Sequence, residues 1–142
     1  MLTEKDYCDY DTCVALKELG YIGSSRYYYT QLDRKFHYDA YNMSYTIRTA
    51  NAMGYVLAIH LYDAQKWLRE NYGIHIIIDR FGKNYNWFIK EKDSIVYDYE
   101  SGIYEDYIDY ESALLAGIKK VIEILKEVLA MRKINVNRDL EE

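Results

Sequence analysis

The chain contains no proline, so the ends of its helices and strands have to be read from glycine, aspartate and asparagine instead. Its two cysteines, Cys8 and Cys13, are too few for a disulfide framework. Five residues apart and without a second Cys or His pair, they do not match a zinc-ligand spacing either, so no metal and no cofactor are expected. The sequence implies that Cys13 packs on a helix face and that Cys8 is incidental. No apolar run approaches the roughly 20 residues that cross a bilayer. The start, Met1-Leu2-Thr3-Glu4-Lys5-Asp6, carries acids where a signal peptide needs a basic end and an apolar core. The expectation is a protein of the cytoplasm with no membrane partner. Net charge is −5 and the isoelectric point about 5.2, which argues against general nucleic-acid binding, since that requires clustered Lys and Arg. Nor is there a Gly-x-Ser-x-Gly elbow, a phosphate-cradling glycine loop or a His-Glu-x-x-His helix. The three histidines are dispersed: His37 in an irregular stretch, His60 near a helix start at an angle close to Ala64 and Trp67, and His75 on a strand. His75 and Asp79 share a strand face, yet exposed polar alternation accounts for them as well as acid–base chemistry does.

What is abundant is tyrosine, 18 of 142 residues. An AT-rich coding sequence explains this, and so does a recognition surface, because tyrosine offers contact area with a polar tip at low entropic cost.

The periodicities predict one α+β domain over residues 1–131, with 132–142 a frayed, mixed-charge tail. A first helix is expected over residues 9–20, capped by Asp9 or Asp11 and ended by Gly20. Arg26–Thr30 has the aromatic character of a short strand. From Asp33 to Tyr55 neither period holds, and the stretch reads as a long functional loop or as an irregular hairpin, Phe36–Tyr41 against Ser44–Thr49. A second helix spans about Ile59 to Tyr72 with Leu61, Ala64, Leu68 and Tyr72 in phase and Trp67 beside them. Gly73 releases the chain into Ile74–Asp79, Gly82-Lys83-Asn84 turns it, and Tyr85–Lys90 returns. Ser94–Tyr99 is a third strand of an antiparallel meander. Asp109 caps a long last helix whose stripe Leu114, Ile118, Val121, Leu125 and Val128 is wide enough to cover a sheet face. The same spacing permits a homodimer seam through this C-terminal helix. The expected order is thus α-β-α-β-β-β-α, with the tryptophan helix and the last helix on one face of the meander.

The runs Ala64-Gln65-Lys66-Trp67-Leu68-Arg69-Glu70-Asn71-Tyr72-Gly73-Ile74-His75-Ile76 and Tyr110-Glu111-Ser112-Ala113-Leu114-Leu115-Ala116-Gly117-Ile118, with Trp87-Phe88-Ile89 and the Lys17-Glu18-Leu19-Gly20-Tyr21 helix end, resemble small proteins of phages and prophages of gut Bacteroidetes. The likeness spans about two-thirds of the chain. It implies a mobile-element origin and a bacterial host cytoplasm, and it implies no activity. Those proteins often carry a proline before the tryptophan helix, where this chain has Ile59 or its neighbours. A looser similarity is to HicB-type antitoxins, which also pass from a β-meander into a Glu-Ala-Leu type helix.

Two sets of candidate site residues follow. No Lys or Arg occurs from Asp93 through Ile118, a span rich in carboxylates and tyrosines. Tyr97, Tyr99, Glu100, Tyr104, Glu105, Asp106 and Tyr107 would form an acidic aromatic face for a basic host or viral protein, by the complementarity that guides such encounters. That makes a non-enzymatic accessory protein, such as an inhibitor of host defence, the leading expectation. The same acids would otherwise be a solvated loop or an imitation of nucleic-acid phosphates, and they do not follow an EF-hand pattern. The alternative is a small-ligand or nucleotide pocket near residues 33–55, using Arg26, Arg34, Tyr38, Tyr41, Arg48 or His75. A HicB-like antitoxin is the third reading.

Overall fold

A computed structural model describes residues 3–39, 41, 43–91, 99–101 and 107–141. After a single 3-10 turn at Glu4–Asp6, helix α1 (Tyr10–Glu18) begins where the Asp9 carboxylate accepts the Thr12 N–H at 3.0 Å. Strands β1 (Ser24–Ser25), β2 (Tyr27–Thr30), β3 (Phe36–Tyr38) and β4 (Tyr45–Thr46) follow, then a short helix α2 (Ile47–Ala52) and strand β5 (Tyr55–Leu57). The second half is α3 (Leu61–Tyr72), β6 (Ile74–Phe81), β7 (Asn84–Glu91), β8 (Tyr99–Glu100) and α4 (Tyr110–Glu141). Helices are interspersed with strands that pair only antiparallel, which makes this a mixed α+β fold.

Residues 33–55 are therefore neither a structureless loop nor the hairpin that the sequence allowed. Phe36–Tyr38 pairs with β2, and β5 takes the other side of β2, giving the order β3-β2-β5. β4 pairs instead with β1, Ser24 opposite Thr46 and Ser25 opposite Tyr45. β3 spends one edge on β2 and pairs with the chain before it rather than after it, so Tyr45–Thr46 bonds Ser24–Ser25 instead of folding back on Phe36–Tyr38. A side-chain capping box between Thr46 and Thr49 then starts α2.

The second sheet is the hairpin of β6 and β7, paired residue for residue from Ile74–Glu91 to Phe81–Asn84, with β8 on the outer edge of β7. The loop is only Gly82-Lys83, and Gly82 takes φ 60°, as the first position of a tight hairpin turn of the II′ kind demands. Of the expected third strand, residues 94–98 lie outside the described residues, and Tyr99 pairs with Ile89. The alternation holds: Ile74, Ile76, Trp87 and Ile89 are buried, whereas Ile77 and Phe81 face out.

Helices α3 and α4 both lie against the buried face, as the apolar stripes require. Gln65 Nε2 donates to the Ile76 carbonyl at 2.8 Å, tying α3 to β6. Leu114, Ile118, Val121, Ile122 and Leu125 are buried beneath α4. At Gly117 the helix approaches the sheet so closely that a Cβ would stand 2.8 Å from Ile76 Cγ2 and 3.3 Å from Trp87 Cβ. Beyond Leu125 the helix continues to Glu141 with Val128, Leu129, Met131, Ile134 and Val136 all exposed. Among the described residues no helix is long and apolar enough to cross a membrane.

One expectation is overturned here. Cys8 is not incidental: it is fully buried, and with Cys13 it stitches three distant segments together. Its N–H donates to the Ile59 carbonyl at 2.8 Å, and its own carbonyl accepts the Tyr29 hydroxyl at 2.7 Å and the Cys13 thiol at 3.4 Å. Ile59 N–H in turn donates to Cys13 Sγ at 3.4 Å. The neighbouring Cys13 thiol and burial push the Cys8 thiol well above the usual range, so the Cys8 sulfur acts as a packing group rather than a nucleophile.

Replacing Gly117 with alanine tests the packing. Helix propensity alone favours alanine by about 1 kcal/mol. The β-branched Ile76 and the Trp87 Cβ cannot swing aside, so Gly117→Ala should instead destabilise by about 1–3 kcal/mol, read from the urea midpoint at unchanged slope.

Candidate functional site

A concentration of polar groups lies where the start of the chain crosses the β5–α3 connection. Tyr7 forms an isolated antiparallel bridge with His60. Its ring packs 4.8 Å from that of Tyr27 and 5.3 Å, edge-on, from that of His60. Ala58 N–H donates to the Tyr27 carbonyl at 3.0 Å, which holds residues 58–60 alongside the start of β2. Tyr21 follows the end of α1, where its N–H donates back to Leu16, and its ring meets Trp67 of α3 edge-on at 5.6 Å. Between these walls is a cavity of about 270 Å³ lined by Tyr7, Tyr21, Ser24, Ser25, Arg26, Tyr27, Ala58, Ile59, His60 and Asp63.

Local structure fixes the chemistry of each group. His60 is the N-cap of α3, and its Nδ1 accepts the Tyr62 N–H at 3.1 Å. That bond assigns the proton of the neutral ring to Nε2, so the imidazole offers a donor rather than a base. Asp63 stands in the first turn of the same helix, where the exposed backbone N–H groups favour an anion. Ser25 Oγ accepts the Tyr27 N–H at 3.0 Å, which turns the backbone into β2 at Arg26. Burial pushes the Tyr7 hydroxyl up to about 12, with Tyr27, Asp6 and Asp63 adding to the rise and Arg26 opposing it. Burial also lifts Tyr21 to about 12, and Asp63 is the next contributor. Both hydroxyls are neutral donors near pH 7.

A second, more open groove of about 790 Å³ adjoins the cavity, with Ser24 lining both. Its other walls are Ile22, Gly23, Thr46, Ile47, Arg48 and Asn51, and its surface is mainly apolar. A Cβ on Gly23 would meet the Tyr21 hydroxyl at 2.5 Å, so Gly23 and Tyr21 together form the partition between groove and cavity.

Of the ligand residues singled out from sequence, Arg26 lines the cavity and Arg48 the groove. The other four are elsewhere. Arg34 occupies a turn at φ 57° and lays its guanidinium 5.0 Å over the Tyr10 ring, a structural use. Tyr38 and Tyr41 are exposed. His75 sits in β6 opposite Lys90, in the other sheet. On the opposite face of the first sheet Tyr28 stacks on Tyr55 at 4.1 Å and on His37 at 5.5 Å, with Tyr45 edge-on to both tyrosines, so these rings fill one another's space.

Of the acidic tyrosine set, Tyr97, Tyr104, Glu105 and Asp106 lie outside the described residues. Tyr99 and Glu100 are exposed on β8, with Lys120 Nζ 5.5 Å from the Tyr99 ring centre. Tyr107 is half-buried, and its carbonyl accepts the Tyr85 N–H at 2.8 Å. Among the described residues no cluster of three or more His, Cys, Asp or Glu side chains could hold a metal ion. Sequence reasoning missed Tyr7, Tyr21 and Asp63, and it placed His60 only by its helix. The available signal was the His60–Asp63 spacing, cap and third helical position, at the mouth of a strongly amphipathic helix.

Comparison with protein-family models, with curated proteins and with solved structures gives no match for this chain.

Alkaline titration followed by phenolate absorbance checks the cavity's electrostatics. Tyr7→Phe and Tyr21→Phe should each remove one tyrosine from the class ionising near 12 and leave the rest of the titration unchanged. The folded values lie above those of the unfolded chain, so the associated stability is intact below about 10 and is lost as pH rises toward about 12.

Proposed function

We propose that this chain is a small-ligand-binding protein whose site is the cavity between Tyr7, the start of β2 and the first turn of α3. One observation carries the reading: residues from four separated segments, the core tyrosines Tyr7 and Tyr21 together with Arg26 and the His60–Asp63 pair, converge on one cavity. Convergent polar groups over an apolar floor, here Ala58 and Ile59, are what binding sites are built from. The walls are anchored by the buried cysteine network and by Trp67, which supports a preformed site and a low ordering cost on binding. His60 uses its Nδ1 as a cap, which favours binding over acid–base chemistry.

A library of small charged metabolites screened by thermal shift tests this. A specific ligand at 100 times its dissociation constant adds about 2.7 kcal/mol of stability. The gain should vanish in Ser24→Leu, whose exposed position adds bulk at the mouth without disturbing the core. A hit that Ser24→Leu binds unchanged lies elsewhere and sinks the assignment.

A second reading rests on Tyr99 and Glu100, both exposed on the edge strand β8, where an acidic aromatic surface would meet a basic protein partner. If it holds, a tagged chain should capture one dominant protein from a bacterial lysate, and the double change Tyr99→Ala, Glu100→Gln should weaken capture at least tenfold. Equal capture by the variant removes this surface from consideration.

A further inference from the structure

Two tyrosines in the cavity wall combine deep burial with a polar end that nothing engages. Tyr7 and Tyr21 are each only 7% exposed, yet among the described residues neither hydroxyl has a hydrogen-bond partner. Nor is either hydroxyl sealed off: the enclosed side-chain polar atoms without a partner, among the described residues, are His37 Nε2 and Trp87 Nε1. Both hydroxyls therefore open on the space that the two residues line. Tyr21 is placed most closely, since a Cβ on Gly23 would stand 2.5 Å from its oxygen, at the partition between cavity and groove. A buried tyrosine hydroxyl ordinarily finds a partner within the protein. Two that face one cavity are groups held ready for an occupant.

Charge decides what kind of occupant. Asp63 lines the same cavity from the first turn of α3, and among the described residues no ion pair or hydrogen bond engages its carboxylate. Its charge acts on Tyr7 and on Tyr21 alike, and Asp6 adds a second negative charge on the Tyr7 side. Arg26 is the weakest of the charges acting on Tyr7 and has no part at Tyr21. The field at the two hydroxyls is therefore negative, which disfavours anions such as phosphate or a nucleotide. Hydroxyl and carboxylate oxygens both accept hydrogen bonds, and an ammonium brings one positive charge and three N–H donors. At about 270 Å³ the cavity holds a compact headgroup and little more. The adjoining groove shares Ser24 with it and is walled by Ile22 and Ile47, so an apolar appendage has a place to go.

From this juxtaposition we infer that the ligand is a primary amine, bound as its ammonium ion, with an apolar tail. The ammonium pairs with Asp63 and donates to the Tyr7 and Tyr21 hydroxyl oxygens, while the tail passes Ser24 into the groove. The inference rests on the cavity being the binding site. Asp63 is exposed on its helix, so it can be changed without removing a core contact.

The test is isothermal titration of the full chain with four probes: 2-phenylethylamine, 2-phenylethanol, N,N,N-trimethyl-2-phenylethylammonium and methylamine. 2-Phenylethylamine should bind. The alcohol lacks the charge, the quaternary ion lacks the N–H donors and methylamine lacks the tail. Each should bind about tenfold more weakly or worse, the change that losing one charge-assisted hydrogen bond or a buried apolar group brings. Asp63→Asn should bring the primary amine down to the level of the alcohol. Tyr21→Phe, which keeps the ring against Trp67, should narrow the gap between the primary amine and the quaternary ion. Thermal midpoints of both variants without ligand should stay near the parent's, which separates lost binding from lost folding. Should a midpoint fall, the four-probe comparison on the parent chain decides alone. If the alcohol or the quaternary ion binds as tightly as the primary amine and Ser24→Leu blocks it, the amine assignment is overturned and the cavity stands. The same holds if none of the four binds while another library compound does so in a Ser24-dependent way. If none of the four binds and the library yields no Ser24-dependent ligand, both fall.

Discussion

The carbonyl of Cys8 is the point on which the rest of the N-terminal half turns. It is fully buried and accepts two hydrogen bonds, from the Tyr29 hydroxyl and the Cys13 thiol, while the N–H of the same residue pairs with Ile59. A buried carbonyl left without partners costs about 1–3 kcal/mol, so the first strand-like residues of the chain are held wherever those donors are. The donors come from α1 and β2, and Ile59 leads directly into α3. The backbone of one residue thus sets the mutual position of four segments. The bridge from Tyr7 to His60 is the next rung of the same pairing, which is how the cavity inherits its geometry from the core.

The C-terminal half depends on a different constraint, shape rather than polarity. The alternation of β6 and β7 presents one apolar face, and α3 and α4 cover it. The absence of a side chain at Gly117 lets α4 come down onto Ile76 and Trp87, and the buried stripe from Leu114 to Leu125 follows from that contact. The two halves meet through α3, which caps on His60 in the first and hydrogen-bonds to Ile76 through Gln65 in the second. The ion pair of Lys119 with Asp9, 2.6 Å, adds a direct tie between α4 and the start of α1. Burial tends to raise the Asp9 carboxyl, but Lys119 and the Thr12 hydroxyl and N–H together hold it below the usual range.

The strongly periodic elements were legible in the sequence because each carries its own evidence. Leu61, Ala64 and Leu68 repeat within one helix, Ile74 to Asp79 alternate within one strand, and Asp109 precedes the longest stripe. Residues 33–55 were not legible because their elements are two to six residues long and their partners are distant. Nothing near Tyr45 announces that it will pair with Ser25, and nothing near Tyr55 announces Thr30. The candidate site divides the same way. Arg26 and Arg48 could be chosen as charges beside an irregular segment. Tyr7 and Tyr21 are two tyrosines among 18, and only the folding of the termini of α1 and α3 around Cys8 and Trp67 brings them to one place. Arg34 shows the converse error, since a cation in an unpatterned stretch proved to be fastened over Tyr10.

The edge-on contact between Trp67 and Tyr21 has a practical consequence. Tyr21 is a wall of the cavity and Trp67 lies directly behind it on α3, whereas the chain's other indole, Trp87, is buried under α4 in the second sheet. The molecule therefore carries a built-in optical reporter beside the cavity and a reference fluorophore away from it. Any occupant that moves the Tyr21 ring alters the polarity and quenching around the first indole and leaves the second unchanged.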